Sequence, residues 1–293
     1  MKKCLILIFI LLYPSAHAHP WGPVTHTYLA AAGEDSLPDD SGLKEFLFAY
    51  EEDYIYGCVA PDIYVSQYFD DEGYRKHKEL HSWDTAFLLL KLADTDDEKA
   101  FAVGYFVHLI SDSVAHNRYV PKQGVALGMT MKESHAVIES SVDDQMDPRY
   151  RTLLDTYLQL RSDADIALLQ RVVKDPSLKE AEYDFRLQAN IYSRSKMSQN
   201  STLYQVSQII GSNYEPYHNE TIETVAEFFR VLDEKEPKDY YGQALKAERL
   251  GIIGQEDPTG EEAQRLADEQ VGSWWSRLNA KVSLWWTNFV FKH

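Results

Sequence analysis

The chain has 293 residues, a formal net charge of −17, 44% hydrophobic residues and two cysteines. So acidic a surface repels long polyanions unless a metal or a local basic patch overrides it, which weighs against a nucleic-acid partner. Cys4 falls in a leader and Cys58 stands alone in the remainder. Internal disulfides and cysteine metal sites are thereby excluded, and any metal must be held by His, Asp and Glu.

Residues 1–18 have the form of an export signal. Lys2 and Lys3 make a basic start, Cys4 to Tyr13 is an almost unbroken apolar run, and Ala16-His17-Ala18 offers small residues for cleavage. That run is too short to span a bilayer, which needs about 20 apolar residues. The expected location is secreted or periplasmic.

Apolar spacing downstream is helical nearly everywhere, without a convincing run of alternating strand residues, so the fold class expected is all-α. The first helix should begin near Pro23 and run through Tyr28 to Ala32, before a polar break at Ser36 to Asp40. A second covers Gly42 to Glu51, with a loop around Gly57 and Pro61. Thr95-Asp-Asp-Glu98 has the form of a capping box and opens a strongly apolar helix from about Asp96 to Asn117.

Another helix runs from Thr130 to about Asp144 and stops before Pro148. Further helical stretches are expected over 149–161, 163–174, 178–193, 203–211, 221–233 and 240–250. Gly251 to Gly260, with Pro258 inside it, reads as a linker. The organisation expected is a leader over 1–18, a helical domain over 19–250, and a linker with a Trp-rich amphipathic helix over 251–293.

Histidine placement is the strongest chemical clue: eight of the ten lie at or before position 135. The central feature is His108-x3-Asp112-x3-His116 inside the apolar helix. Four-residue steps put these side chains within roughly 80° of one another on one face. A buried ionised Asp between two His is costly unless a divalent cation or a complete hydrogen-bonded row compensates it. His135-Ala-Val-Ile-Glu139 repeats the theme one turn apart on a following helix, and Asp143 continues that row or is simply solvated.

Upstream, Trp21-Gly-Pro-Val-Thr-His26, Ala60-Pro-Asp62 and His81-Ser-Trp83-Asp84 add a His, an Asp and a second His, with His77 one turn before His81. These five elements in this order resemble the zinc-dependent phospholipase C family, within the phospholipase C and single-strand nuclease superfamily. The resemblance spans Trp21 to Glu139 and implies a multi-helix bundle with its metal site between helices.

It further implies two to three zinc ions. Asp62, His81, His108 and Asp112 would hold one; His116, His135 and Glu139 a second; Trp21, His26 and a bridging Asp112 the third. Asp62 would also serve as general base, and the His-x-aromatic-Asp context favours His81 over His77. Two departures stand out. Cleavage after Ala18 leaves His19-Pro20 ahead of Trp21, so trimming, the Trp21 carbonyl or the His19 amine would have to complete the third site. The best-known members also put five residues, not three, between the bridging Asp and the next His.

The function this implies is hydrolysis of a phosphodiester by zinc-activated water, with phospholipid the leading substrate. Trp274, Trp275, Leu278, Val282, Trp285, Trp286 and Phe289 recur at helical intervals beside Arg277, Lys281 and Lys292. Such a helix suits the lipid–water interface, or docks its aromatic stripe on the body of the protein. Two alternatives stand: a nuclease or nucleotidase with the same metals, and a non-catalytic zinc-binding, membrane-associated protein.

Overall fold

The computed structural model describes residues 21–67, 71–194, 202–234 and 239–273, with the side chains of 66, 131–136, 192, 202, 203 and 206 excepted. The leader, the Trp-rich segment 274–293 and the His135 side chain lie outside the described residues. Among those described the regular elements are helical and no strand occurs, as the periodicity predicts.

In chain order the elements are α1 (Pro23–Asp35), α2 (Gly42–Ala49), α3 (Glu51–Gly57), a 3-10 helix (Ala60–Gln67), α4 (Asp71–Leu80) and α5 (Trp83–Leu92). Then come α6 (Asp96–Val114), a π-helical turn (Ala115–Tyr119), α7 (Val120–Leu127), α8 (Met131–Asp143) and α9 (Pro148–Leu160). α10 (Asp163–Val173), α11 (Leu178–Arg194), α12 (Thr202–Ile210), α13 (Glu215–Leu232) and α14 (Tyr240–Arg249) follow, and residues 261–273 are again helical.

α6 is the axis of the molecule. It packs on α1, α3, α5, α10 and α13, and every residue from Ala100 to Val114 is buried. A helix apolar on all sides is stable only when enclosed this way. Glu98 folds back to accept from the backbone amides of Asp94 and Thr95, at 2.7 and 3.4 Å, closing the start of α6. Phe106 meets Phe87 and Phe228 at ring separations of 5.2 and 5.3 Å, joining α5, α6 and α13.

α3 lies against α6 at backbone contact. A Cβ on Gly57 would stand 2.0 Å from Phe101 O, and one on Gly104 would stand 2.0 Å from Tyr54 O. Only glycine admits this approach. It brings the 3-10 helix after α3, with Asp62, directly over the polar row of α6.

Several stretches differ from the sequence expectation. The expected loop after Gly57 is a 3-10 helix, and Glu51 starts a new helix instead of ending α2. α13 begins at Glu215, ahead of the expected Thr221, because Pro216 sits in its first turn, where a missing N–H costs nothing. α6 gives way at Ala115 to the π-helical turn. Pro121 has no N–H for the Asn117 carbonyl and its ring crowds that carbonyl, so the chain widens to a longer spacing there.

The stretch 251–260, marked as a linker by its glycines and proline, folds back on the body. Trp83 Nε1 donates to Glu256 O at 2.8 Å and Asn117 Nδ2 donates to Asp257 O at 2.8 Å. Tyr74 and Lys78 then hold Glu261 at 2.7 and 2.6 Å. The segment is a strap across α4, α5 and the π-helical turn.

Candidate metal centre

Five of the residues expected at the site converge in the core. His26 comes from α1, Asp62 from the 3-10 helix, His81 from the turn after α4, and His108 and Asp112 from α6. All five are buried. Asp112 is the hub: His108 Nε2 and His81 Nε2 lie 3.0 and 3.2 Å from its Oδ2, and His26 Nε2 lies 3.2 Å from its Oδ1. Asp62 Oδ1 is 3.4 Å from His81 Nε2 and 4.0 Å from His108 Nε2.

Two groups result, each offering one ligand atom per residue within 4.8 Å of the others: His26, His108 and Asp112, and Asp62, His81 and His108. His108 belongs to both. His81 therefore takes the place in the cluster, and His77 sits behind it.

Protons decide what such an arrangement can do. His108 Nδ1 lies 2.9 Å from the Cys58 carbonyl, and His81 Nδ1 lies 2.9 Å from the His77 carbonyl. A carbonyl only accepts, so each ring carries its proton on Nδ1 and turns a bare Nε2 inward. Those two Nε2 atoms are 3.1 Å apart, with carboxylate oxygens close by. Lone pairs facing lone pairs repel unless a cation stands among them, and imidazoles oriented through Nδ1 by backbone carbonyls are the usual support of a metal ligand.

The rest of the cluster agrees. Both oxygens of Asp112 and both nitrogens of His26 are buried without a hydrogen bond, despite their close approach. Contact without hydrogen-bonding alignment is how ligands lie around a shared centre, each presenting a lone pair to it. Without a cation the site would draw a second proton onto His81 Nε2: burial opposes the charge, yet Asp112 and Asp62 outweigh it and lift the pKa to about 10. The cluster demands positive charge at this point. Two carboxylates and three imidazoles, with no thiolate, suit zinc.

The remaining expected residues are set further back. His116 lies in the π-helical turn, with Nε2 3.9 Å from Asp112 Oδ2. Glu139 is buried on α8, one turn after His135. Trp21 is enclosed, its Nε1 donating to Ser111 O at 3.1 Å and its ring stacked on Tyr119 at 4.9 Å. Among the described residues, neither of the two converging groups includes His116, Glu139 or Trp21.

A family model for zinc dependent phospholipase C matches residues 25–211, which takes in His26, Asp62, His81, His108, Asp112, His116 and Glu139. The chain belongs to the zinc dependent phospholipase C family. A member of that family with this cluster has the donor set its description calls for. The chain is also 28% identical over 118 residues to an uncharacterized protein of Archaeoglobus fulgidus, covering 39% of this chain and 32% of that protein. The chain thus aligns with about a third of that relative's length. No solved structure matches.

Sequence reading left Asp143 open and missed two backbone carbonyls and Gln264 at this family member's site. Asp143 is no solvated surface acid: it is fully buried and binds the start of α1. The carbonyls of Cys58 and His77 set the two inward-facing histidines, and backbone atoms leave no trace in residue spacing. Gln264 reaches His116 from far along the chain, at 3.1 Å.

Proposed function

We propose that this protein is an exported zinc-dependent phosphodiester hydrolase acting on phospholipids. The observation that carries the reading is the pair of bare Nε2 atoms of His81 and His108, turned toward Asp62 and Asp112 in a buried cluster. Structural zinc sites are typically closed by four protein ligands, whereas two overlapping groups of three leave positions for water and substrate. Bound zinc would supply an activated water near neutral pH and offset the charge of the phosphate.

The chain's own residues do the rest. Asp62 and Asp112 bring negative charge that draws cations into an otherwise apolar core. Asp62, on a 3-10 helix instead of the rigid α6, is placed to take the proton of the attacking water. Backbone carbonyls hold the His81 and His108 rings, and His26 stacks on His108 at 4.0 Å, so little reorganisation would accompany reaction. The Trp-rich segment 274–293 and the net charge of −17 favour a lipid interface over a nucleic acid.

The test is metal analysis of the purified protein together with hydrolysis of phosphatidylcholine vesicles and of single-stranded DNA. Bound zinc, with vesicle hydrolysis lost on chelation and regained with zinc, is the expected result. Undiminished hydrolysis after complete metal removal would overturn the reading. Cleavage of DNA alone would keep the metal chemistry and replace the substrate.

A further inference from the structure

His116 differs from the other histidines of the site in where its proton sits. Gln264 Nε2 lies 3.1 Å from His116 Nδ1 and donates to Thr259 O at 2.6 Å. The carbonyl fixes the amide orientation, because turning it over would set two oxygens against each other at that distance. The amino group then spends one hydrogen on Thr259 and points the other at His116, so Nδ1 must accept. The neutral ring carries its proton on Nε2, the nitrogen that faces Asp112.

His81 and His108 have the opposite tautomer, with Nε2 bare. A cation can take His116 Nε2 only if the proton moves to Nδ1, and an Nδ1–H would then oppose the Gln264 N–H at 3.1 Å. The contact and ligation through Nε2 exclude each other. We infer that the strap formed by residues 255–267 competes with a metal ion for His116 and so gates filling of the metal site on that side of Asp112.

The strap combines a seat on the site, with Pro258, Gly260 and Ala267 buried, and polar ties further out. Gly260 lies so tightly on the π-helical turn that a Cβ there would stand 2.6 Å from both Cβ and O of His116. Its polar ties beyond Gln264 include a hydrogen bond from Trp83 to the Glu256 carbonyl and, at more exposed groups, Arg118 with Glu256, Tyr74 and Lys78 with Glu261, and Asn117 with the Asp257 carbonyl. The exposed ion pairs among them are weak and screened by salt. The strap also lies beyond residues 25–211, the part of the chain that matches the family. Coupling of this kind is reciprocal: metal at His116 loosens the strap, and loosening the strap tightens the metal.

The inference rests on the zinc reading above, and one experiment separates the two. The full chain, freed of metal, is titrated with zinc while hydrogen exchange of residues 251–273 is followed, alongside Gln264→Leu and Gln264→Glu. Exchange in the strap should quicken as the last zinc binds. Gln264→Leu should bind that zinc about tenfold tighter, and Gln264→Glu, which accepts from Nδ1–H, at least as much. A residue that merely supported the fold would weaken zinc in both variants. Zinc binding with the strap unchanged and no tightening in either variant overturns the gate and leaves the zinc site standing. A wild-type chain that binds no zinc overturns both. Should a variant fail to fold, exchange in the wild-type chain decides.

Discussion

Asp143 and Gly22 are in such close contact that a Cβ on Gly22 would stand 2.2 Å from Asp143 Oδ2. The carboxylate on α8 accepts from the backbone amides of Val24 and Thr25, at 3.2 and 2.9 Å, and from Thr25 Oγ1 at 2.5 Å. It therefore does for α1 what an N-cap side chain does, from 118 residues away in sequence. His26 follows one residue later, so the same clamp sets its reach toward Asp112.

Loss of this clamp should cost both stability and metal. Asp143→Ala strands two buried amides and a hydroxyl, and should destabilise the protein by about 2–4 kcal/mol. Gly22→Ala should act in the same direction by forcing the carboxylate away. Urea unfolding measures the first effect, and zinc content measured with His26→Ala as reference measures the second. Wild-type stability in Asp143→Ala would refute the role of the clamp.

Because His108 belongs to both ligand groups, His108→Ala should remove more zinc per chain than His81→Ala and should abolish turnover. His77→Ala should keep its zinc. The His77 carbonyl that orients His81 survives substitution and only the contact of His77 Nδ1 with His81 Nδ1, at 2.9 Å, is lost, so a loss of about tenfold in affinity or less is expected. Metal analysis of the three variants orders them. Zinc loss in His77→Ala equal to that in His81→Ala would reverse the assignment.

The glycine contact between α3 and α6 predicts a packing effect with a functional consequence. Gly104→Ala pushes against Tyr54 O and should cost about 1–3 kcal/mol. The displacement lifts Asp62 from His81 and His108, so zinc affinity should fall although no ligand has changed. Calorimetry with and without zinc separates the two losses.

A buried acid pair away from the site predicts the pH dependence of stability. Burial, and then Asp53 beside it, raise Asp165 to about 9, while burial raises Asp53 itself to about 6. The folded state thus holds protons that the unfolded chain, with carboxyls near 3.9, releases. Stability contributed by the protonated pair is full below about pH 4 and is lost as pH rises toward about 9. Asp165→Asn should flatten this slope and stabilise the protein at pH 8 by more than about 1 kcal/mol. Unfolding free energies at pH 5, 6.5 and 8, measured with zinc held constant, test it.

The sequence by itself determined the helical class, the burial of the row His108, Asp112 and His116, and the supply of ligands by His and carboxylate alone. Each follows from composition or from the 3.6-residue period, which are local properties. The periodic reading carried the helix through to Asn117 and did not mark the break after Ala115. The family resemblance already favoured His81 over His77, but only the tertiary structure set His81 against Asp112, made Asp143 the cap of a distant helix and returned the apparent linker to His116.

Those decisions belong to backbone carbonyls and glycine contacts. The proton position on His81 is set by the His77 carbonyl, that on His108 by the Cys58 carbonyl, and that on His116 by Gln264. Every residue type carries the same carbonyl, so spacing cannot reveal which one will stand opposite a given imidazole. Chemistry at a buried cluster depends on the location of single protons, and long-range packing alone assigns them.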